Sequence, residues 1–233
     1  MIRLGALLLV AAGVLGAPAH AQRAYEKETG SNIPIPKRAQ IPEKGSDAEQ
    51  GRVVMAEFAR CTLDREPAKV AKLLGQPLGH AYVAAMQDLV SDECLAAGQI
   101  TFQPILLRGA LFTELWRRRV IAEAKGQTWE PVLPVYDLST PITDPDPAVQ
   151  RQAGLLWLGD CIVKRDRAAA NDVVVRPTAS KAQSEAYSRL IPNLSPCLPQ
   201  GQQVTFSKPI LEGALAEALY RAPAAPKIES GAQ

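Results

Sequence analysis

The feature that most constrains this 233-residue chain is that part of it occurs twice. The segments ITFQPILLRGALFTELWR (100–117) and VTFSKPILEGALAEALYR (204–221) align without a gap at an offset of 104, with eight of eighteen positions identical. The identities are Thr101/Thr205, Phe102/Phe206, Leu107/Leu211, Gly109/Gly213, Ala110/Ala214, Leu111/Leu215, Leu115/Leu219 and Arg117/Arg221. Ile100/Val204, Leu106/Ile210 and Trp116/Tyr220 are close replacements. Self-similarity at a fixed spacing implies a fold assembled from one unit used twice.

The match continues upstream more loosely. Phe58-Ala59-Arg60-Cys61 faces Leu158-Gly159-Asp160-Cys161, Ala81-Tyr82 faces Ala186-Tyr187, and Cys94-Leu95 faces Cys197-Leu198. Each copy therefore holds one early and one late cysteine, 33 and 36 residues apart. Four cysteines allow three pairings, and a duplicated unit that carries its own crosslink selects Cys61–Cys94 and Cys161–Cys197. A ring of that size stabilises each half by about 3–4 kcal/mol in the chain-entropy model.

Local signals point to helices throughout. Ser46 with Glu49 is a capping box ahead of Val54, Phe58, Cys61 and Arg65 at helical spacing. Asp146-Pro147 opens the second copy with an N-cap acid and a first-turn proline. Glu66-Pro67 starts a short helix that Gly75 ends, a third helix spans about Gly79 to Val90, and Ser180 to Gln183 is a further capping box. In the repeated segment, Leu107, Leu111 and Leu115 form a stripe at i, i+4, i+8, copied as Leu211, Leu215 and Leu219 and widened by Ala110 and Ala214. Gly109 and Gly213 sit on the other side, two turns before Trp116 and Tyr220. A mid-helix glycine costs up to about 1 kcal/mol relative to alanine, so its presence in both copies implies close helix packing, and a helix apolar on both sides is the strut of its unit. The alternative reading of the same residues is a groove lined by glycine and aromatic side chains.

The expected organisation is all-α. Two tandem, related modules of about four helices each occupy 46–124 and 147–221, each with an internal disulfide. An extended N-terminal arm (22–45) precedes them, a connector (125–146) with prolines 131, 134, 141 and 145 joins them, and a tail (222–233) expected to be disordered follows. Thr101-Phe102 and Thr205-Phe206 read as extended entries into the repeated helix, and Trp129 and Tyr136 suggest that the connector lies along the modules.

Residues 1–21 read as a secretory leader. Arg3 precedes the apolar run Leu4–Leu15, and Ala19-His20-Ala21 is an Ala-x-Ala cleavage site. The run is shorter than the roughly 20 residues that span a bilayer, and no later segment is long and apolar enough. Without the leader, 25 basic side chains (26 less Arg3) face 24 acidic ones. Nucleic-acid binding needs clustered Lys and Arg; the densest run, Arg117-Arg118-Arg119, reads as a solvated helix end.

Catalytic chemistry finds few candidates. His80 is the only histidine beyond the leader, and its counterpart is Glu185. One histidine and paired cysteines do not form the usual zinc ligand set, and no nucleophile elbow or Cys-x-x-Cys occurs. Asp92-Glu93 meets Ser195-Pro196 in the other copy, while Asp144 and Asp146 alternate with prolines as turn and cap residues. Arg117 and Arg221 are the one identical charged pair; with Trp116 and Tyr220 they are the candidate binding residues, against an internal salt bridge or helix-end contact as the plainer role.

The reading is an exported, non-enzymatic binding protein of the bacterial envelope, periplasmic or secreted, without cofactor or metal. Its partner would be a protein or peptide held in a groove between the repeats. The alternatives are an envelope hydrolase using carboxylates such as Glu57 or Asp160, and a structural or stress-related scaffold. The leader assignment predicts a mature chain that begins at Gln22; intact-mass analysis of the expressed protein checks it, and a retained Met1 would refute it.

Overall fold

The computed structural model describes residues 39, 42–76, 79–89, 92–95, 101, 103–128, 145–198 and 207–222. The expected leader, most of the expected arm, the centre of the expected connector, Phe102, Thr205-Phe206 and the residues beyond 222 lie outside the described residues. Within them the chain is helical: α1 (Asp47–Arg65), α2 (Pro67–Leu74), α3 (His80–Leu89), α4 (Pro104–Ala124), α5 (Pro147–Arg165), α6 (Arg167–Val175), α7 (Lys181–Leu190) and α8 (Lys208–Arg221). The one extended pairing among the described residues is an isolated parallel bridge between Ala39 and Leu95, in which the Ala39 N–H donates to the Cys94 carbonyl at 2.9 Å.

The starts follow their sequence signals. Ser46 accepts the Glu49 N–H while the Glu49 carboxylate accepts the Ser46 N–H, a complete capping box. Asp146 accepts the Ala148 N–H, and Pro147 occupies the first turn of α5. Ser180 accepts the Gln183 N–H, but the Gln183 side chain does not return to Ser180. It is drawn inward to the Val173 carbonyl and to Glu212, and its oxygen accepts the N–H of Ala179, which stands at a left-handed φ of 61°.

The disulfides are Cys61–Cys94 and Cys161–Cys197, with Cα–Cα distances of 5.6 and 5.8 Å. Each ties a long helix, α1 or α5, to a short 3-10 turn after the third helix of its half, Asp92–Cys94 or Ser195–Cys197. Neither bond links one half to the other.

The halves nonetheless share one core. Packing runs from α1 to α4, from α4 to α8 and from α8 to α5, with α6 seated against α4, α5 and α8. Phe58, Leu74, Leu107 and Leu111 belong to the same buried cluster as Ile162, Val174, Leu215 and Leu219. α8 is buried at every residue from Leu211 to Arg221, so it is the central strut.

The crossing of α4 and α8 explains the paired glycines. A Cβ on Gly109 would stand 2.8 Å from the Gly213 Cα, and one on Gly213 would stand 2.5 Å from the Gly109 Cα. The α5–α8 contact is as close, because a Cβ on Gly159 would lie 2.5 Å from the Ala214 carbonyl oxygen. Backbone stands against backbone, so neither neighbour can yield by turning a side chain.

Gly109→Ala, Gly213→Ala and Gly159→Ala are each expected to destabilise by about 1–3 kcal/mol through overpacking, against an intrinsic helix gain of up to about 1 kcal/mol. Gly154→Ala, on α5 with open space around its Cβ position, is expected to stabilise by about 0.5–1 kcal/mol. Urea midpoints at constant slope read both signs.

Candidate functional site

Among the described residues, the densest chemistry lies on either side of the glycine crossing. α8 brings two glutamates inside, Glu212 at 5% and Glu217 at 4% exposure. An isolated carboxylate at that depth is costly, and each is met by two arginines.

In the first cluster Arg108 of α4, 1% exposed, grips Glu217 with both arms of its fork. Its Nε donates to Oε2 at 3.0 Å and its Nη2 to Oε1 at 2.7 Å. Arg221, one turn along α8, donates from Nε to the same Oε1 at 2.9 Å. The remaining donors reach the C-terminal end of α2: Arg108 gives hydrogen bonds to the carbonyls of Gln76 (2.9 Å) and Leu74 (3.2 Å), and Arg221 to that of Leu74 (3.3 Å). The Phe112 ring lies 5.2 Å from the Arg108 guanidinium carbon and 5.1 Å from that of Arg221. Cations at a helix C-terminus and over aromatic faces are both favoured.

The second cluster is built around Glu212. Arg52 of α1 donates to Glu212 at 3.0 Å and to the Gln183 side-chain oxygen at 2.6 Å. Gln183 donates to Glu212 at 2.9 Å, and Arg117 of α4 does so at 3.2 Å. Arg117 also reaches the C-terminal end of α6, donating to the carbonyls of Val174 and Arg176, both at 2.7 Å. Burial pulls its guanidinium below the ordinary arginine value, and Glu212 opposes that pull. Tyr187 closes the cluster, its hydroxyl donating to the Lys208 carbonyl at 2.8 Å, and burial pushes its phenol well above the usual tyrosine range.

The candidate binding residues are thus engaged internally. Arg117 and Arg221 perform one task on opposite halves: the α4 arginine holds the end of α6, and the α8 arginine holds the end of α2. Trp116 and Tyr220 are each 4% exposed. The Trp116 Nε1 donates to Asn171 at 2.8 Å, and Tyr220 meets Phe112 edge-on at 5.7 Å. At the crossing itself glycine touches glycine, so the halves are closed on each other there. A recess beside it, bordered by Arg108, Gln152 and Glu217, measures about 20 Å³, room for one water molecule.

The arginine triplet departs from its sequence reading. α4 runs on to Ala124, so these residues are not at a helix end. Arg118 pairs with Glu114 and Asp64, and Arg119 pairs with Glu123 while stacking on Trp116. Arg108, Glu212 and Glu217 escaped the sequence reading, since Arg108 and Glu212 occupy matching positions with opposite charge. That opposition was the available signal.

The carboxylates considered for catalysis sit in local pairs. Glu57 is 3.7 Å from Arg60, and Asp160 is 2.7 Å from Lys164, each within one turn. Glu93 pairs with Arg65. Asp146 is the α5 cap, and Asp144 lies outside the described residues. His80 opens α3. Among the described residues no group of three or more His, Cys, Asp or Glu is placed to hold a metal ion, and no helix is long and apolar enough to cross a membrane.

On the surface, Trp157 of α5 is 56% exposed, Ile121 of α4 55% and Ile191 60%. Trp157 stands one turn before Cys161, whose disulfide fixes that stretch of α5. Compared with protein-family models, curated proteins and solved structures, the chain matches none.

Removing one partner from a buried pair leaves a charge uncompensated. Glu217→Ala is expected to cost about 3–5 kcal/mol because it strands Arg108 and Arg221. Lys164→Ala, whose side chain is 75% exposed beside Asp160, is expected to cost under about 1 kcal/mol. Chemical denaturation at low and high salt distinguishes them, since a buried pair is little screened.

Proposed function

We propose that this chain is an exported helical protein, made by duplication of a four-helix unit, that works by presenting an outer surface to a protein or peptide partner. Export is supported by the leader-like residues 1–21 and by two disulfides, which persist in oxidising compartments. Periplasm or secretion beyond it is the compartment this implies. Duplication is supported by the Gly109/Gly213 contact and by the reciprocal arginines, since Leu74 and Val174, their carbonyl partners, stand at the same offset of 100 as Cys61 and Cys161.

The observation that carries the binding role is Trp157. Tryptophan is the residue type most enriched at binding hot spots, and this one is more than half exposed on a disulfide-braced helix. Its counterpart in the first half, at the offset of 100, is Glu57, so the apolar feature belongs to one half alone. In this reading the partner meets the outer face of α5 rather than a groove between the halves.

A photo-crosslinking amino acid at position 157, with one at Glu57 as control, tests this in cells that express the full chain. A discrete adduct from 157 and none from 57, found in the envelope fraction, is the expected result. Adducts at both positions, or at neither, would reject the α5 face and leave the scaffold reading.

A further inference from the structure

The charges at the α4–α8 crossing are distributed unequally. Residues 42–128 contribute Arg52, Arg108 and Arg117, and residues 145–222 contribute Glu212, Glu217 and Arg221. Both buried carboxylates come from the second half, and both are neutralised by arginines of the first. Each cluster holds two guanidinium groups, one carboxylate and the C-terminal carbonyls of a short helix, α2 beside Glu217 and α6 beside Glu212.

We propose that the two halves are mutually exclusive binding partners: residues 42–128 bind residues 145–222, neither half accepts a second copy of itself, and the pair persists once the chain between 128 and 145 is cut. At the offset of 104, Arg108 corresponds to Glu212, Thr113 to Glu217 and Arg117 to Arg221. A first half crossing a copy of itself would set Arg108 against Thr113 and Arg117, with no carboxylate in place of Glu217. A second half doing so would set Glu212 against Glu217, with a single Arg221 to serve both. Either self-pairing buries uncompensated charge, which is strongly unfavourable, whereas the mixed pairing gives each buried carboxylate two arginines. Specificity is then a matter of rejected alternatives as much as of favourable contacts.

The glycine contact alone does not discriminate, because Gly109 and Gly213 are the same residue; the charges beside it do. Both disulfides lie within a half, so no covalent bond holds the halves together after a cut between 128 and 145. The inference stands on this interface and is independent of the role given to Trp157.

The test uses the full chain with a protease recognition sequence placed between residues 129 and 144, folded and oxidised before cutting. At about 1 µM the two pieces are expected to elute together as one species of the intact mass. Isotopically labelled and unlabelled cut protein, mixed through mild urea and diluted, are expected to give label-mixed first-half/second-half pairs in native mass spectrometry. Pieces that separate at that concentration, or a half paired with itself, would overturn the proposal. Glu217→Gln in the same background is expected to weaken the pair by roughly tenfold or more; an unchanged dissociation would also count against it. Should that variant not fold, the wild-type cut and exchange experiments decide alone.

Discussion

With no side chain at Gly109 or Gly213, α4 and α8 cross at backbone contact, and the geometry of the interior follows from that approach. At such a separation the continuing turns of each helix pass over the other half. They carry Arg117 to the end of α6 and Arg221 to the end of α2. A bulkier residue at the crossing would lift the helices apart and withdraw both arginines together. The hydrophobic core and the polar clusters are therefore set by one contact, which is why a helix-weakening residue stands at the centre of both long struts.

Around this crossing the ionic groups act as organisers of the fold. A buried ion pair often contributes little net stability compared with apolar packing. Here each carboxylate also collects helix-terminal carbonyls through its arginines: the end of α6 is held by Arg117 of the first half, and the end of α2 by Arg221 of the second half together with Arg108 of its own. Polar groups sealed in this way reject arrangements that leave one member unpaired. The disulfides act at shorter range, each fastening a long helix to the turn that follows the third helix of its half.

Much of the architecture was legible in the sequence. The helices follow their caps and prolines, the cysteines pair within each half, and the leucine stripes of both repeated segments are buried. The clusters were not legible, for a physical reason. Comparing two copies rewards identity, and identical residues meet only where the two helices touch, at the glycines. Away from that point each residue faces a non-corresponding one, where complementarity favours unlike charge. The Arg108/Glu212 mismatch and the Thr113/Glu217 mismatch therefore marked the interface while lowering the similarity score. Gln183 shows the same limit on a local scale: its spacing from Ser180 fits a capping box, but a buried carboxylate elsewhere competes for its amide. The exposure of Trp157 was not legible because that residue stands opposite Glu57, outside any matched position.

The placement of both buried carboxylates on α8, the last of the described helices, has a temporal consequence. A polypeptide is made from its N-terminus onward, and Arg52, Arg108 and Arg117 emerge long before Glu212 and Glu217. Until α8 is made, the carboxylates that pair with these arginines in the folded interior are absent. The two ionic clusters of the interior can therefore be completed only after α8 has been made, whatever the order in which the other helices pack.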